Sequence, residues 1–257
     1  MKGYTLITGA SAGIGYELAK LFAMDKNPLI LVARNEKRLA EIQKDFAEKY
    51  NVDVKYLALD LSNEHNVDYI YEFVEENNLV VDNLINNAGF GSFGAFHEVD
   101  IEKDLEMIKV NVYALTKLTK LFLPKLVERN TGGILNVAST AAFGVGPIMS
   151  VYYATKSYVL SLTEAIAEEL KGTKIKISTL CPGPVNTGFQ GRAGVEKSEL
   201  TKGYMMTAKE VAEVGYKQFN KGKTIIIPGM KNKFLVQSFR FLPRKLISSI
   251  AIKLNKK

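Results

Sequence analysis

The stretch LITGASAGIGYELAKLF, Leu6 to Phe22, passes from an apolar run into a helical pattern through three glycines, Gly9, Gly13 and Gly15. A chain that turns sharply from strand to helix and lets a pyrophosphate approach its backbone needs glycines there, because side chains would block both. The helix that follows offers free N–H groups and the positive end of its dipole to phosphate. The spacing is G-x-x-x-G-x-G, and Ser11, Ala12 and Ile14 complete the candidate phosphate-binding loop. A glycine turn alone is a weak signal. Three glycines placed directly after the first strand are a stronger one.

Outward from this loop, apolar runs alternate with amphipathic ones. PLILVA (28–33) precedes a helical pattern over 35–50, with Leu39, Ile42 and Phe46 on one face. Strand-like 53–61, a helix around 67–77, strand 81–89, a long helix from about Asp100 to Arg129 and strand 132–139 follow. A helix around Tyr152 to Leu170 then leads to strand 174–183, and 224–229 is the last strand. Strands separated by helices of ten or more residues imply βαβ units and a parallel sheet covered on both faces. The expected fold is an α/β, Rossmann-type doubly wound sheet. Residues 1–230 form a single domain, with a polar, glycine-containing lid at about 188–206, and residues 231–257 form a basic amphipathic tail.

The composition bounds what such a chain can do. With 257 residues, 47% hydrophobic, it can bury one large core. No apolar run reaches the roughly 18 residues of a spanning helix. The N-terminus starts at once as a strand, which does not suit a signal peptide, and a single cysteine, Cys181, fits a reducing cytoplasm. His65 and His97 stand far apart and no Cys/His cluster exists, so no metal site is expected. The net charge of +7 divides into −4 over the first 213 residues and +11 beyond Glu213, where no acidic residue occurs. A basic end on a mildly acidic body does not describe a nucleic-acid binder.

Candidate ligand residues gather at the ends of the strands, where open α/β sheets bind ligands. The second strand ends in Ala33 and Arg34 where an acidic residue would hold a ribose 2′-hydroxyl. A guanidinium instead suits a 2′-phosphate, so Arg34, helped by Lys37 or Arg38, points to NADP(H) over NAD(H). Asp60 and Leu61 end the third strand, and Asn87, Ala88 and Gly89 follow the fourth.

Together TGASAGIG, LDLS, NNAG, KVNVYA, NVAST, YYATK and PGPVNT, in that order over about Lys2 to Gly229, resemble the short-chain dehydrogenase/reductase family. The resemblance implies a seven-stranded parallel sheet in the order 3-2-1-4-5-6-7, a nicotinamide cofactor, and a homodimer or homotetramer built on the long helices. It places Asn87, Ala88 and Gly89 under the cofactor and Asp60 and Leu61 at its adenine. Pro182, Gly183, Val185 and Thr187 fall at its nicotinamide end.

Tyr152 and Lys156 are four apart, so they share a helix face, while Tyr153 points about 100° away. A cation beside a phenol lowers its pKa, and the positive charge of an oxidised nicotinamide is expected to lower it further, which makes Tyr152 a usable general acid/base nearer neutral pH. Ser139, thirteen residues earlier, matches the family's spacing and can hold a substrate oxygen against the phenol. Asn111 lies inside a helix where asparagine has no propensity advantage. The resemblance has it distort the helix and hold a water of a proton relay, and a buried side-chain cap is the plainer account. Lys156 is expected to bind the nicotinamide ribose and tune Tyr152.

The expected activity is NADPH-dependent reduction of a carbonyl, with NADP-dependent oxidation of an alcohol or hydroxy acid as the alternative and a non-catalytic NADPH-binding regulator as a more distant one. Phe90, Phe93, Phe96, Phe143, Met149, Phe189, Tyr204, Met205 and Met206 suggest an apolar pocket and a hydrophobic ketone or aldehyde. The tail, with Phe234, Leu235, Phe239, Leu242, Leu246, Ile247, Ile250 and Leu254 among basic residues, packs on the body or on another subunit in the preferred account. Peripheral contact with an anionic membrane is the other.

Overall fold

The computed structural model describes residues 2–186, 205–239, 241–243, 247–249 and 252. Its centre is a seven-stranded sheet in the order β3-β2-β1-β4-β5-β6-β9, every neighbouring pair parallel. The strands are β1 (Tyr4–Thr8), β2 (Leu29–Ala33), β3 (Val54–Ala58), β4 (Val81–Asn86), β5 (Gly133–Val137), β6 (Lys176–Leu180) and β9 (Ile225–Ile226). This is the expected order. Its last strand is the ninth because a separate parallel pair, β7 (Val185–Asn186) and β8 (Met206–Thr207), intervenes.

The near-continuous apolar runs of the central strands follow from burial on both faces. Along β2, Leu29, Leu31 and Ala33 join one core, while Ile30 and Val32 join another on the opposite face. The first core takes Leu18 and Phe22 of α1 (Gly13–Met24), Leu39, Ile42 and Phe46 of α2 (Glu36–Tyr50), and Val211 and Phe219 of α7 (Ala208–Asn220). The second takes Val67, Ile70 and Val74 of α3 (Glu64–Glu76), Leu118, Phe122 and Leu126 of α5 (Leu115–Arg129), and Ile166 of α6 (Ser150–Glu169).

The long helix runs where expected. The Asp100 side chain caps it by accepting from Glu102 N at 3.1 Å. It is regular through α4 (Ile101–Ile108), widens to a π-helical turn over Lys109–Ala114, and resumes as α5. One helix was missed in the sequence. Thr207 and Glu210 form a capping box that starts α7, and Val211, Ala212, Gly215 and Phe219 form its buried face.

The tail begins with α8 (Met230–Ser238). Val236 and Ile247 are buried, and a Cβ built on Gly144 would lie 3.5 Å from both Phe239 and Ile247. Part of the tail therefore packs on the body, just past the short 3₁₀ turn Thr140–Phe143 that follows β5. Thr187 and the lid from Gly188 to Tyr204 lie outside the described residues. Among the described residues no helix is long and apolar enough to cross a membrane, and no group of three or more His, Cys, Asp or Glu could hold a metal.

Candidate active site

Because the strands are parallel, their C-terminal ends share one edge, and the predicted residues fall along it. Gly9 follows β1 with a φ of +66°. A Cβ on Gly15 would come within 2.4 Å of Gly9 O and of Asn87 Nδ2, so only glycine lets α1 start this close to the loop. Asn87 fastens β4 to the same loop. Its Nδ2 donates to Thr8 O at 3.0 Å and Gly9 O at 3.1 Å, and the Asn87 and Ala88 N–H groups both donate to Thr8 Oγ1 at 3.0 Å.

The first turn of α1 is fitted to an anion. Its N-cap, Ala12, supplies no side-chain hydrogen bond, and the first turn holds no acidic residue. The helices α2, α3 and α4 are instead capped by Asn35, Asn63 and Asp100. The uncapped N–H groups and positive dipole end of α1 thus face the glycine turn, which suits a dinucleotide's pyrophosphate.

Arg34 follows β2 with its guanidinium half exposed, 3.4 Å from Asp60 Oδ2 and 3.7 Å from Glu106 Oε1. Burial opposes ionisation of Asp60, but the Ser62 N–H and hydroxyl, together with Arg34, hold its carboxyl below its ordinary range. Leu61 beside it is buried. Arg38, one turn on, pairs with Glu41 Oε2 at 3.0 Å and lies 5.4 Å over the Tyr16 ring. Pro182 and Gly183 follow β6, and Val185 lies in β7.

The four expected catalytic side chains are brought together. Tyr152 and Lys156 share the inner face of α6, both buried, with Lys156 Nζ 5.9 Å from the centre of the Tyr152 ring. The Ser139 hydroxyl hydrogen-bonds the Tyr152 phenol and accepts from Ala141 N at 3.1 Å. A Cβ on Gly89 would meet Asn111 Oδ1 at 2.9 Å and Lys156 Nζ at 3.3 Å, so Asn111 and Lys156 converge beside Gly89. Tyr153 points away and packs over Gly146, where a Cβ would run into its ring at 2.1 Å.

Burial dominates the electrostatics of Tyr152 and Lys156. Burial pushes the Tyr152 phenol up to about 12, against the smaller opposing effect of the Ser139 hydrogen bond. Burial likewise pushes the Lys156 amine down to about 8. Desolvation disfavours the charged form of both groups. The Lys156 amine also gives its hydrogen bond to Val137 O, at 2.9 Å, and not to the phenol.

Asn111 both distorts its helix and pairs like a cap. It lies in the π-helical turn, donates from Nδ2 to Phe90 O at 2.9 Å and accepts from Phe90 N at 3.1 Å. A second Nδ2 hydrogen bond reaches Thr155 Oγ1 at 3.1 Å, and Thr155 donates to Tyr152 O at 2.8 Å. Thr155 is a residue the sequence reading passed over, although it stands inside YYATK. Of the expected pocket walls, Phe96 instead lines an outer cavity of about 450 Å³ with Ile108, Val112, Val151, Ala154 and Tyr158. Met206 packs against the first core, and Phe189 and Tyr204 lie outside the described residues.

A parallel sheet with a glycine loop after β1 and a Tyr/Lys/Ser/Asn cluster over β4 and β5 is the arrangement of a Rossmann-type oxidoreductase. The chain belongs to the short-chain dehydrogenase family, whose model matches residues 4–197. It is 34% identical to an NADP-dependent 3-hydroxy acid dehydrogenase of Schizosaccharomyces pombe, over 86% of this chain and 88% of that protein. A short-chain dehydrogenase from Sphingobium yanoikuyae, solved in complex with NADPH, superposes with a TM-score of 0.83 at 32% identity, covering 89% of this chain and 88% of that one. A Burkholderia phymatum family member solved with NAD gives 0.80 at 25% identity, with 92% of each chain covered.

Proposed function

We propose that this chain is an NADPH-dependent reductase of a hydrophobic ketone or aldehyde. The observation that carries this reading is the Tyr152 phenol, hydrogen-bonded to Ser139 and buried on one helix face with Lys156, at the sheet edge that carries the glycine loop. Gly9, Ser11, Ala12, Gly13, Ile14 and Gly15 would hold the pyrophosphate, and Arg34 the 2′-phosphate. Asp60 and Leu61 would meet the adenine, and Asn87, Ala88 and Gly89 would lie beneath the dinucleotide. Pro182, Gly183, Val185 and Thr187 would meet its nicotinamide end, with Tyr152 and Lys156 at the adjoining ribose. Since relatives are seen with either NADPH or NAD, the preference rests on Arg34 standing where a carboxylate would favour NAD.

When bound, the dinucleotide supplies the hydride. Tyr152 gives its proton to the substrate oxygen. A phenol pushed up to about 12 is fully protonated at neutral pH, which is the form a proton donor needs. Ser139 holds that oxygen against the phenol. Asn111 fixes the Phe90 backbone, which starts the apolar loop toward the substrate. Oxidation of a hydroxy acid by the same groups in reverse is the second reading, and the name of the fission-yeast relative favours it.

The test is titration of the purified chain with NADPH and NADH, followed by turnover of carbonyl and 3-hydroxy acid panels with Tyr152→Phe as control. Tighter NADPH binding is expected, with turnover reduced about 10²–10⁴-fold in the variant. Tighter NADH binding would refute the role of Arg34. Unchanged turnover in the variant would refute that of Tyr152.

A further inference from the structure

The exposed side of α8 has no part in the site described above. Met230 (65% exposed) and Phe234 (71%) stand one turn apart, and Phe241 (85%) follows two turns on. Phe239 keeps helical dihedrals, and Leu242 N still bonds back to Ser238 O at 3.2 Å. At 100° per residue, Met230 and Phe234 point within about 40° of one another, and Phe241 lies just past the end of the helix at Ser238. Val236, the buried residue of α8, lies on roughly the opposite side. Lys231 and Lys233, both exposed, flank the stripe at about 80° on either side.

Three occupants could cover such a stripe. The body of the protein already holds the other side of the helix. There, Phe239 reaches Gly144, and a Cβ on Gly183 would sit 2.4 Å from Asn232 Oδ1. A second copy docked stripe to stripe would bring together two tails that each carry +8 over residues 231–257 with no acidic residue, and such like-charge contact is unfavourable. An anionic lipid surface complements that charge and accepts the aromatic side chains at its headgroup boundary. The Lys233 stem can then lie along the apolar stripe with its ammonium group on a lipid phosphate.

We propose that Met230, Phe234 and Phe241, flanked by Lys231 and Lys233, dock the protein peripherally on an anionic membrane surface. The inference stands apart from the catalytic reading, because its test uses no turnover. Full-length protein is floated with phosphatidylcholine vesicles containing or lacking phosphatidylglycerol, at low and high salt. Binding to the anionic vesicles at low salt is expected, weakened by salt. It should fall about tenfold or more when Phe234→Ser and Phe241→Ser are combined. Both side chains are on the surface, so the melting curve should not change. Lys231→Glu with Lys233→Glu is a second variant that leaves the aromatics in place, and it too should weaken flotation. No flotation with anionic vesicles, or flotation unaffected by both double variants, overturns the proposal. A changed sedimentation coefficient in the serine variant without any lipid effect also overturns it, and assigns the stripe to a second copy.

Discussion

Lys156 gives its amine to Val137 O and is otherwise enclosed, with 5% of its surface exposed. Burial pushes its pKa from 10.5 down to about 8. At neutral pH, below both values, the amine is charged in the folded and unfolded chains alike, so the native state carries the full penalty. At about 1.4 kcal/mol per pKa unit, that penalty is about 3 kcal/mol. It is relieved as pH rises from about 8 to 10.5, where the folded chain binds fewer protons than the unfolded one and stability rises with pH. Lys156→Met removes the charge and keeps most of the volume, while the lost bond to Val137 O takes back about 1 kcal/mol. The variant is expected to melt roughly 4–8 °C higher at pH 7, to lose that advantage by pH 10, and to lose turnover. A melting point at or below wild type at pH 7 would show that the buried ammonium is not held at a penalty. A group kept at a loss of stability is what a site selected for chemistry looks like.

At the scale of elements, the π-helical turn over Lys109–Ala114 is where the long helix gives up regular geometry, and Asn111 gains three hydrogen bonds there. Two of them satisfy the Phe90 N–H and C=O, which nothing in their own loop would pair. Asn111→Ala leaves both half-buried groups unmatched and is expected to destabilise the fold by about 2–4 kcal/mol. Because the Phe90 loop and the Thr155–Tyr152 turn are held through the same amide, turnover should fall as well. A variant that melts like wild type would show that water replaces the amide. The asparagine was legible as an anomaly inside a helix, but its partners were not, since Phe90 is 21 residues and Thr155 44 residues away. The sheet order was legible because the glycine loop and the motifs LDLS, NNAG, NVAST and PGPVNT end or follow strands in the family's order. The pKa of Tyr152 was not, because a lysine four residues away can be counted from sequence, whereas the depth of burial that outweighs it cannot. Helix α7 was overlooked even though Thr207 and Glu210 spell a capping box. The polar run before it drew attention to a lid instead.

For the whole molecule, exposed apolar side chains stand in two different charge environments. One set lies in the basic region beyond Glu213, and another is on the long helix. Ile101, Leu105 and Ile108, at 67%, 43% and 40% exposure, recur at helical spacing on α4. Beside them Ile108, Phe96, Val112, Val151 and Tyr158 line the outer cavity where α6 approaches. Contiguous apolar surface of this kind on a water-facing helix marks an interface. This face carries far less excess charge than the tail, so a second copy can cover it without the repulsion expected at α8. A stable interface buries about 800 Å² per partner and depends on a few central side chains. Ile108 is the candidate for such a centre, since it belongs to both the stripe and the cavity. Ile108→Glu should therefore convert a dimer or larger assembly into a smaller species by sedimentation velocity. Ile108 lies three residues before Asn111 on the same helix, so turnover should fall with assembly if subunit packing supports the π-helical turn. A variant that sediments as wild type does would exclude this face as the subunit contact. A variant that dissociates yet keeps full turnover would show that each chain's site is complete without its neighbour.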